Sequence, residues 1–115
     1  MHFGLSDEQD MIVSTVRSFV EQEIYPHEAL VERTGAVPPE LAQDIKSKCI
    51  DLGFYACNFP EEVGGAGLSH LEFALVEREL GRGSMALTHF FGRPQNILMA
   101  CEGEQKERYL LPAIR

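Results

Sequence analysis

Tryptophan is absent from the 115 residues, cysteine occurs three times, and ten basic residues stand against eighteen acids. Each shortage excludes something. Cys49, Cys57 and Cys101 are odd in number and lack the close spacing of a zinc knuckle or redox pair, which argues against a disulfide-stapled secreted module. They read as small buried apolar residues in a reducing compartment. A formal charge of −8, with no run of Lys and Arg long enough to follow a phosphate backbone, excludes nucleic acid as a partner. No apolar run approaches the roughly 20 residues that span a bilayer. The opening MHFGLSDEQD lacks the basic and apolar regions of a signal peptide. The expectation is a soluble, cytoplasmic chain without membrane insertion.

What remains is globular. Hydrophobic residues make up 44% and charged residues 24%, too apolar for disorder. A chain of this length fits one domain, residues 1–115, burying roughly 65% of the surface its unfolded form exposes. No internal repeat, linker or low-complexity stretch divides it.

The elements read as helices. Ser6 followed by Gln9 is a capping box, so a helix starts at Asp7 and buries Ile12, Val16, Phe19, Val20 and Ile24 at three-and-four spacing. Pro26 ends or kinks it near Ile24 or Tyr25, because proline lacks an N–H donor and disfavours helical geometry before it. A second segment runs from Pro26 toward Arg33, stopped by Gly35. Pro38 and Pro39 open a third, with Leu41, Ile45, Cys49 and Leu52 along one face and Gly53 as a left-handed cap. Ser69 with Glu72 repeats the capping box before a helix through about Arg82, apolar around so much of its circumference that it should meet several neighbours. Ser84 would cap a helix over Met85 to Phe91, Pro94 would start the next, and Glu104 to Leu111 would close the series with Tyr109 and Leu110 on its apolar side. The expected architecture is an all-α bundle of about six short helices.

The stretch FPEEVGGAGLSHLEFALVEREL, Phe59 to Leu80, preceded by FYACNF, raises one competing reading: a strand, a phosphate-binding glycine turn and a helix. A dinucleotide fingerprint needs G-x-G-x-x-G, in which the third glycine lets helix and strand pack closely. Gly65 and Gly67 supply two positions, but His70 occupies the third, and no Gly-Lys-Ser/Thr follows. A tight loop with positive φ before a Ser-capped helix is the better reading.

Candidate chemistry is sparse. His2, His27, His70 and His89 show no metal-ligand spacing, so no metal site is expected. Among the acids Glu61, Glu62, Glu72, Glu77 and Glu79, Glu77 is read as the one partly buried, in a structural hydrogen bond. Leu87, Phe90 and Phe91, near Gly92 and Arg93, read either as core or, if exposed, as a partner surface or ligand wall; spacing leaves both open.

Taken in order, FGLSDEQDMIVSTVRSFVEQEIYP, VPPELAQDIKSKCIDLGF, PEEVGGAGLSHLEFALVERELGRG and GEQKERYLLPAI resemble the N-terminal domain of FAD-dependent acyl-CoA dehydrogenases across essentially the whole chain. The resemblance implies an all-α domain that comes first in a chain about three times longer, ahead of a β-domain and a second helical domain, both absent here. It further implies that most flavin contacts and the proton-removing glutamate lie in those absent domains. This chain would then contribute no catalytic residue, bind FAD weakly or not at all, and be inactive alone. Its part would be to cover the flavin and wall the acyl-CoA cavity through Leu87, Thr88, Phe90 and Phe91. Paired phenylalanines there suggest a cavity shortened toward compact acyl groups, if Phe91 points into it. The complete protein is expected to be a homo-oligomer, and the isolated domain to self-associate through its uncovered apolar face. A stand-alone helical protein-interaction module is the alternative from another class.

Overall fold

Ser6 starts the first helix as its capping box requires: its Oγ accepts from the Gln9 amide at 3.1 Å, and Gln9 Oε1 accepts from the Ser6 amide at 3.0 Å. The computed structural model describes residues 4–92 and 94–115. His2 and Arg93, both weighed above, lie outside the described residues. Helix α1 (Asp7–Phe19) carries Asp7, Glu8 and Asp10 in its first turn, where the helix dipole favours negative charge, and buries Ile12, Val13, Val16 and Phe19.

The regular helix breaks ahead of Pro26, near Ile24 and Tyr25 as expected. The chain widens into a π-helical segment, Val20–Ile24, and continues as α2 (Tyr25–Thr34). A proline has no amide to donate, and its ring crowds the carbonyl one turn back. The wider turn accommodates this, with the Tyr25 amide donating to Val20 O, five residues back. The same device recurs near the C-terminus, where Lys106–Leu110 is π-helical, the Leu111 amide donates to Lys106 O, and Pro112 sits in the first turn of the helix that follows. Gly35, at φ 71, terminates α2.

Helix α3 (Pro39–Asp51) buries Ile45 and Cys49. Leu52, expected on the same stripe, is 44% exposed, because it is the C-cap and the chain turns away there through Gly53 at φ 79. Residues 54–59 are a series of turns, not a strand, and Ala56 adopts φ 54. Ser69 caps α4 (His70–Leu80) with both bonds of its box, at 3.2 and 2.9 Å. Helix α4 packs on α1 more extensively than any other two elements meet. Val76 and Leu80 reach the core that other helices share, while Leu71 and Ala74, on the opposite side of α4, are exposed.

Helix α5 (Met85–Thr88) is shorter than the Met85–Phe91 expectation, and the Ser84 side chain does not cap it. The Ser84 amide instead donates to Glu28 Oε1 of α2 at 2.6 Å. After Thr88 the chain tightens, Phe90 N to Leu87 O and Phe91 N to Thr88 O both at 3.1 Å. A Cβ at Gly92 would sit 2.4 Å from the His89 carbonyl oxygen, so the turn requires that glycine. Pro94 is buried and starts no helix; a 3-10 segment, Asn96–Ala100, follows it. The chain closes with the second π segment and α6 (Leu111–Ile114). Leu110 faces inward there, but Tyr109 is 52% exposed, against expectation.

Among the described residues every regular element is helical. The elements form a slab of 45 × 43 × 20 Å. Its main core joins Val16, Phe19, Ile24, Ile45, Cys49, Val76, Leu87 and Phe91. A second, smaller core of Ala56, Phe59, Leu110 and Ile114 ties the turn region to the C-terminal helix, where the Tyr55 hydroxyl donates to Ala113 O at 2.9 Å.

Candidate functional site

The glycine stretch is built to face inward. Gly64 and Gly67 take φ 101 and 66. The Gly65 amide donates to Pro60 O at 3.0 Å, Gly67 to Phe59 O at 2.9 Å and Leu68 to Cys57 O at 2.9 Å. At the helix that follows, the Ser69 and Glu72 amides are taken by the capping box. A phosphate cradle needs several amides directed outward at one point; here those of Gly64, Gly65, Gly67 and Leu68 are spent on this chain's own carbonyls. The loop therefore does not fit a flavin pyrophosphate, and no flavin contact is assigned to it.

The segment singled out as a wall divides into two faces. Leu87 is fully buried and Phe91 is 2% exposed. The Phe91 ring meets Phe19 edge-on at 4.8 Å between centroids and Phe54 at 5.9 Å, inside the helical core. The shortening argument, which needed that ring in the cavity, finds it in the core instead. Thr88 and Phe90 keep part of their surface. Thr88 lines a concavity of 420 Å³ between the C-terminal half of α4 and α5, together with Glu77, His89 and Gln95. Leu80 and Met85 supply its apolar wall, and Gly81, Gly83 and Gly92 contribute no side chain. A Cβ on Gly83 would lie 2.8 Å from Ile24 Cγ2, so this glycine lets α5 approach the π segment.

The buried acid is Glu79, not Glu77. Glu79 is fully buried while Glu77 is exposed. On α4, position 79 shares the face of Leu75 and Val76, three and four residues before it; that helical spacing was the available signal. Three arginines converge on its carboxylate: Arg17 through two bonds of 3.1 and 3.0 Å, Arg78 Nη2 at 3.0 Å and Arg82 Nε at 2.8 Å. Hydrogen bonds from Arg17, reinforced by Arg78 and by the nearby charges of Arg17 and Arg82, hold its carboxyl below the usual range against the opposing effect of burial. The arrangement clamps α1 to α4 and leaves no lone pair directed at a ligand.

Two of the three cysteines are packed in the interior. Cys49 and Cys57 are buried, Cys101 is half-buried, and none is in a disulfide. Burial pushes the Cys49 thiol up to about 12, and its Sγ donates to Phe91 O at 2.7 Å. Among the described residues no three His, Cys, Asp or Glu side chains gather as a metal would need. No helix among them is long and apolar enough to cross a membrane.

With this geometry in view, comparison with known proteins is specific. A family model described as "Acyl-CoA dehydrogenase, N-terminal domain" matches residues 6–115. The chain is 39% identical over 87 residues to the benzylmalonyl-CoA dehydrogenase of Aromatoleum aromaticum, covering 76% of this chain and 22% of that protein. It is 30% identical over 115 residues to the 3-(aryl)acrylate reductase of Clostridium sporogenes, covering 96% of this chain and 29% of the relative. It is 38% identical over 79 residues to the human short-chain specific acyl-CoA dehydrogenase, covering 69% and 18%. The crystal structure of an acyl-CoA dehydrogenase from Geobacillus kaustophilus superposes with a TM-score of 0.73 at 22% identity, over 99% of this chain and 30% of that one. The chain thus spans less than a third of the length of these proteins. It belongs to the acyl-CoA dehydrogenase family, and its helices form that family's N-terminal domain.

Proposed function

We propose that this domain is the first part of a longer FAD-dependent enzyme that oxidises acyl-CoA thioesters to 2,3-enoyl-CoA in fatty acid metabolism. The match of residues 6–115 to the family's N-terminal domain carries this reading. In it, residues 1–115 are one domain, and a β-domain and a second helical domain supply the flavin contacts and the proton-removing base. Bound flavin would supply the hydride acceptor. What this chain's residues do is exclude water and shape the acyl cavity.

In this reading Leu87, Thr88, Phe90 and Phe91 form the cavity wall, Leu87 and Phe91 anchoring it from the core and Thr88 and Phe90 presenting surface. Exposed Met85 and Ile97, at 83% and 76%, support an adjoining face covered by the other domains. The complete protein is proposed to be a cytoplasmic homo-oligomer. The relatives' names span an arylacrylate, a benzylmalonyl thioester and short acyl chains, so no single substrate carries over.

The test is flavin reduction. The full-length protein, purified with its flavin, should bleach on adding an acyl-CoA under anaerobic conditions, and residues 1–115 alone should neither retain flavin nor oxidise the thioester. A full-length protein left oxidised by every acyl-CoA tried would refute the proposal.

A further inference from the structure

We infer that Glu28 on α2 is a positioning residue: it fixes where α5 starts, and through α5 it sets which acyl tails the cavity admits. This rests on the proposed reading that the α5 segment walls the acyl cavity.

Helix α5 has little of its own to hold it. It spans four residues, and the Ser84 side chain makes no capping bond. A helix this short does not offset the cost of its nucleation with its own hydrogen bonds, so its placement comes from neighbours. Glu28 supplies one hold. Its Oε1 accepts from the Ser84 amide at 2.6 Å, across 56 residues of sequence. A carboxylate on a backbone amide makes a charge-assisted bond, stronger than one between neutral groups. Ile24, one helical turn before Glu28, supplies the other: a Cβ at Gly83 would lie 2.8 Å from its Cγ2. Two residues a turn apart thus hold the two consecutive residues that lead into α5.

The hold passes directly to the wall. Ser84 O accepts from the Leu87 amide at 3.0 Å and from the Thr88 amide at 2.9 Å, so the residue that Glu28 grips also closes the first turn of α5. Leu87 is fully buried, in the core that contains Val20 and Ile24. Thr88, which keeps part of its surface, packs close to Gly83, its Cγ2 3.2 Å from a Cβ placed there. Releasing the Ser84 amide leaves the turn that carries Thr88 held through the packing of Leu87. A wall free to shift discriminates less among tails, because a contact displaced by an ångström loses much of its effect.

The experiment uses the flavin-loaded full-length protein and three variants: Glu28→Ala, Glu28→Gln and Glu32→Ala. Glu28 is half-buried, so its replacement leaves the core intact. Glutamine keeps an oxygen for the Ser84 amide. Glu32, one turn further along α2, lines the same groove, and its loss makes the same charge change without touching the Ser84 bond. Two quantities are read: hydrogen exchange at the Ser84 amide, and the ratio of kcat/KM between the best and the poorest of butyryl-, hexanoyl- and octanoyl-CoA. In Glu28→Ala we expect exchange to quicken on the order of tenfold and the ratio to fall toward unity by about threefold. Glu28→Gln and Glu32→Ala should stay within about twofold of wild type in both. A merely structural role would lower stability and leave the ratio where it was. The inference is overturned by unchanged exchange or an unchanged ratio in Glu28→Ala, by a Glu28→Gln or Glu32→Ala protein that shifts as far, or by a wild type that takes all three thioesters alike. Each of these outcomes leaves the dehydrogenase reading intact. Flavin that no acyl-CoA reduces overturns both.

Discussion

Arg17 on α1 grips Glu79 on α4 with two parallel hydrogen bonds, Nε to Oε2 at 3.1 Å and Nη2 to Oε1 at 3.0 Å, across 62 residues of sequence. The pair sits where the two most extensively packed helices meet, and Arg78 and Arg82 complete the shell. A carboxylate with no exposed surface holds its charge here only because three guanidiniums surround it.

Glu79→Gln keeps the shape and removes the charge, leaving three arginines to repel one another. Removing one member of an enclosed ion pair costs roughly 3–5 kcal/mol. The arginine side chains are 42%, 56% and 49% exposed, so solvent relieves part of this, and the expected loss is about 2 kcal/mol. Urea unfolding monitored by far-ultraviolet dichroism measures it. A shift within about 0.5 kcal/mol, the ordinary range for surface changes, would show that the cluster is not a structural clamp.

The same carboxylate sets an acid limit. Its carboxyl is held below the usual range in the fold, chiefly by the Arg17 hydrogen bonds, whereas the unfolded chain has the ordinary value of about 4.3. Between the two values the unfolded state binds more protons, so acidification favours unfolding. The contribution is complete above the ordinary carboxylate range and is lost as pH falls through the depressed value. The stability gap between wild type and Glu79→Gln should therefore stay level from about pH 8 to pH 6 and narrow below about pH 4. Urea midpoints of both proteins across this range provide the check, and a gap that widens with acid would reverse the assignment.

Much of this fold was legible because its signals are local. Both capping boxes need only a Ser and an acid or amide three residues on, and both are present with both bonds. Gly53 takes the left-handed conformation expected of it, and Gly35 stops α2 as expected. What failed depends on tertiary company. Leu52 fits the α3 stripe by spacing but lies past the point where the chain turns. Phe91 is an ambiguous aromatic in sequence. Only the rings of Phe19 and Phe54, 72 and 37 positions earlier by numbering, decide that it is core. Glu79 is a different case: carboxylates as a type face water, but its wheel position beside Leu75 and Val76 points inward.

Gly65 tests the loop geometry. A Cβ there would lie 2.1 Å from the Phe59 carbonyl oxygen and 2.5 Å from its carbon, rigid backbone on a residue that is itself fully buried. Gly65→Ala must displace the second core and is expected to cost at least about 2 kcal/mol. Gly35→Ala is the control, with the same added methyl and φ 71 but nothing within 4 Å. It should cost only the left-handed penalty, about 1 kcal/mol. Equal losses for the two would mean that the loop does not fold back on Phe59.

Phe91 links the core to the Cys49 thiol. Its ring fills the space between Phe19 and Phe54, and its carbonyl oxygen accepts from Cys49 Sγ at 2.7 Å. Phe91→Ala leaves that carbonyl in place and empties the space beside it, at an expected cost of about 3–5 kcal/mol. Phe91→Leu, which refills part of the volume, should cost distinctly less. Burial pushes the thiol up to about 12, so native Cys49 should resist maleimide near pH 8 while half-buried Cys101 reacts first. In Phe91→Ala the transient openings that expose Cys49 become more frequent, and its labelling should accelerate by the factor that matches the lost stability. Peptide mass spectrometry after timed labelling reads both sites at once. Rapid labelling of Cys49 in the wild type, or a Phe91→Ala cost below about 1 kcal/mol, would place the ring outside the core and return it to the cavity wall.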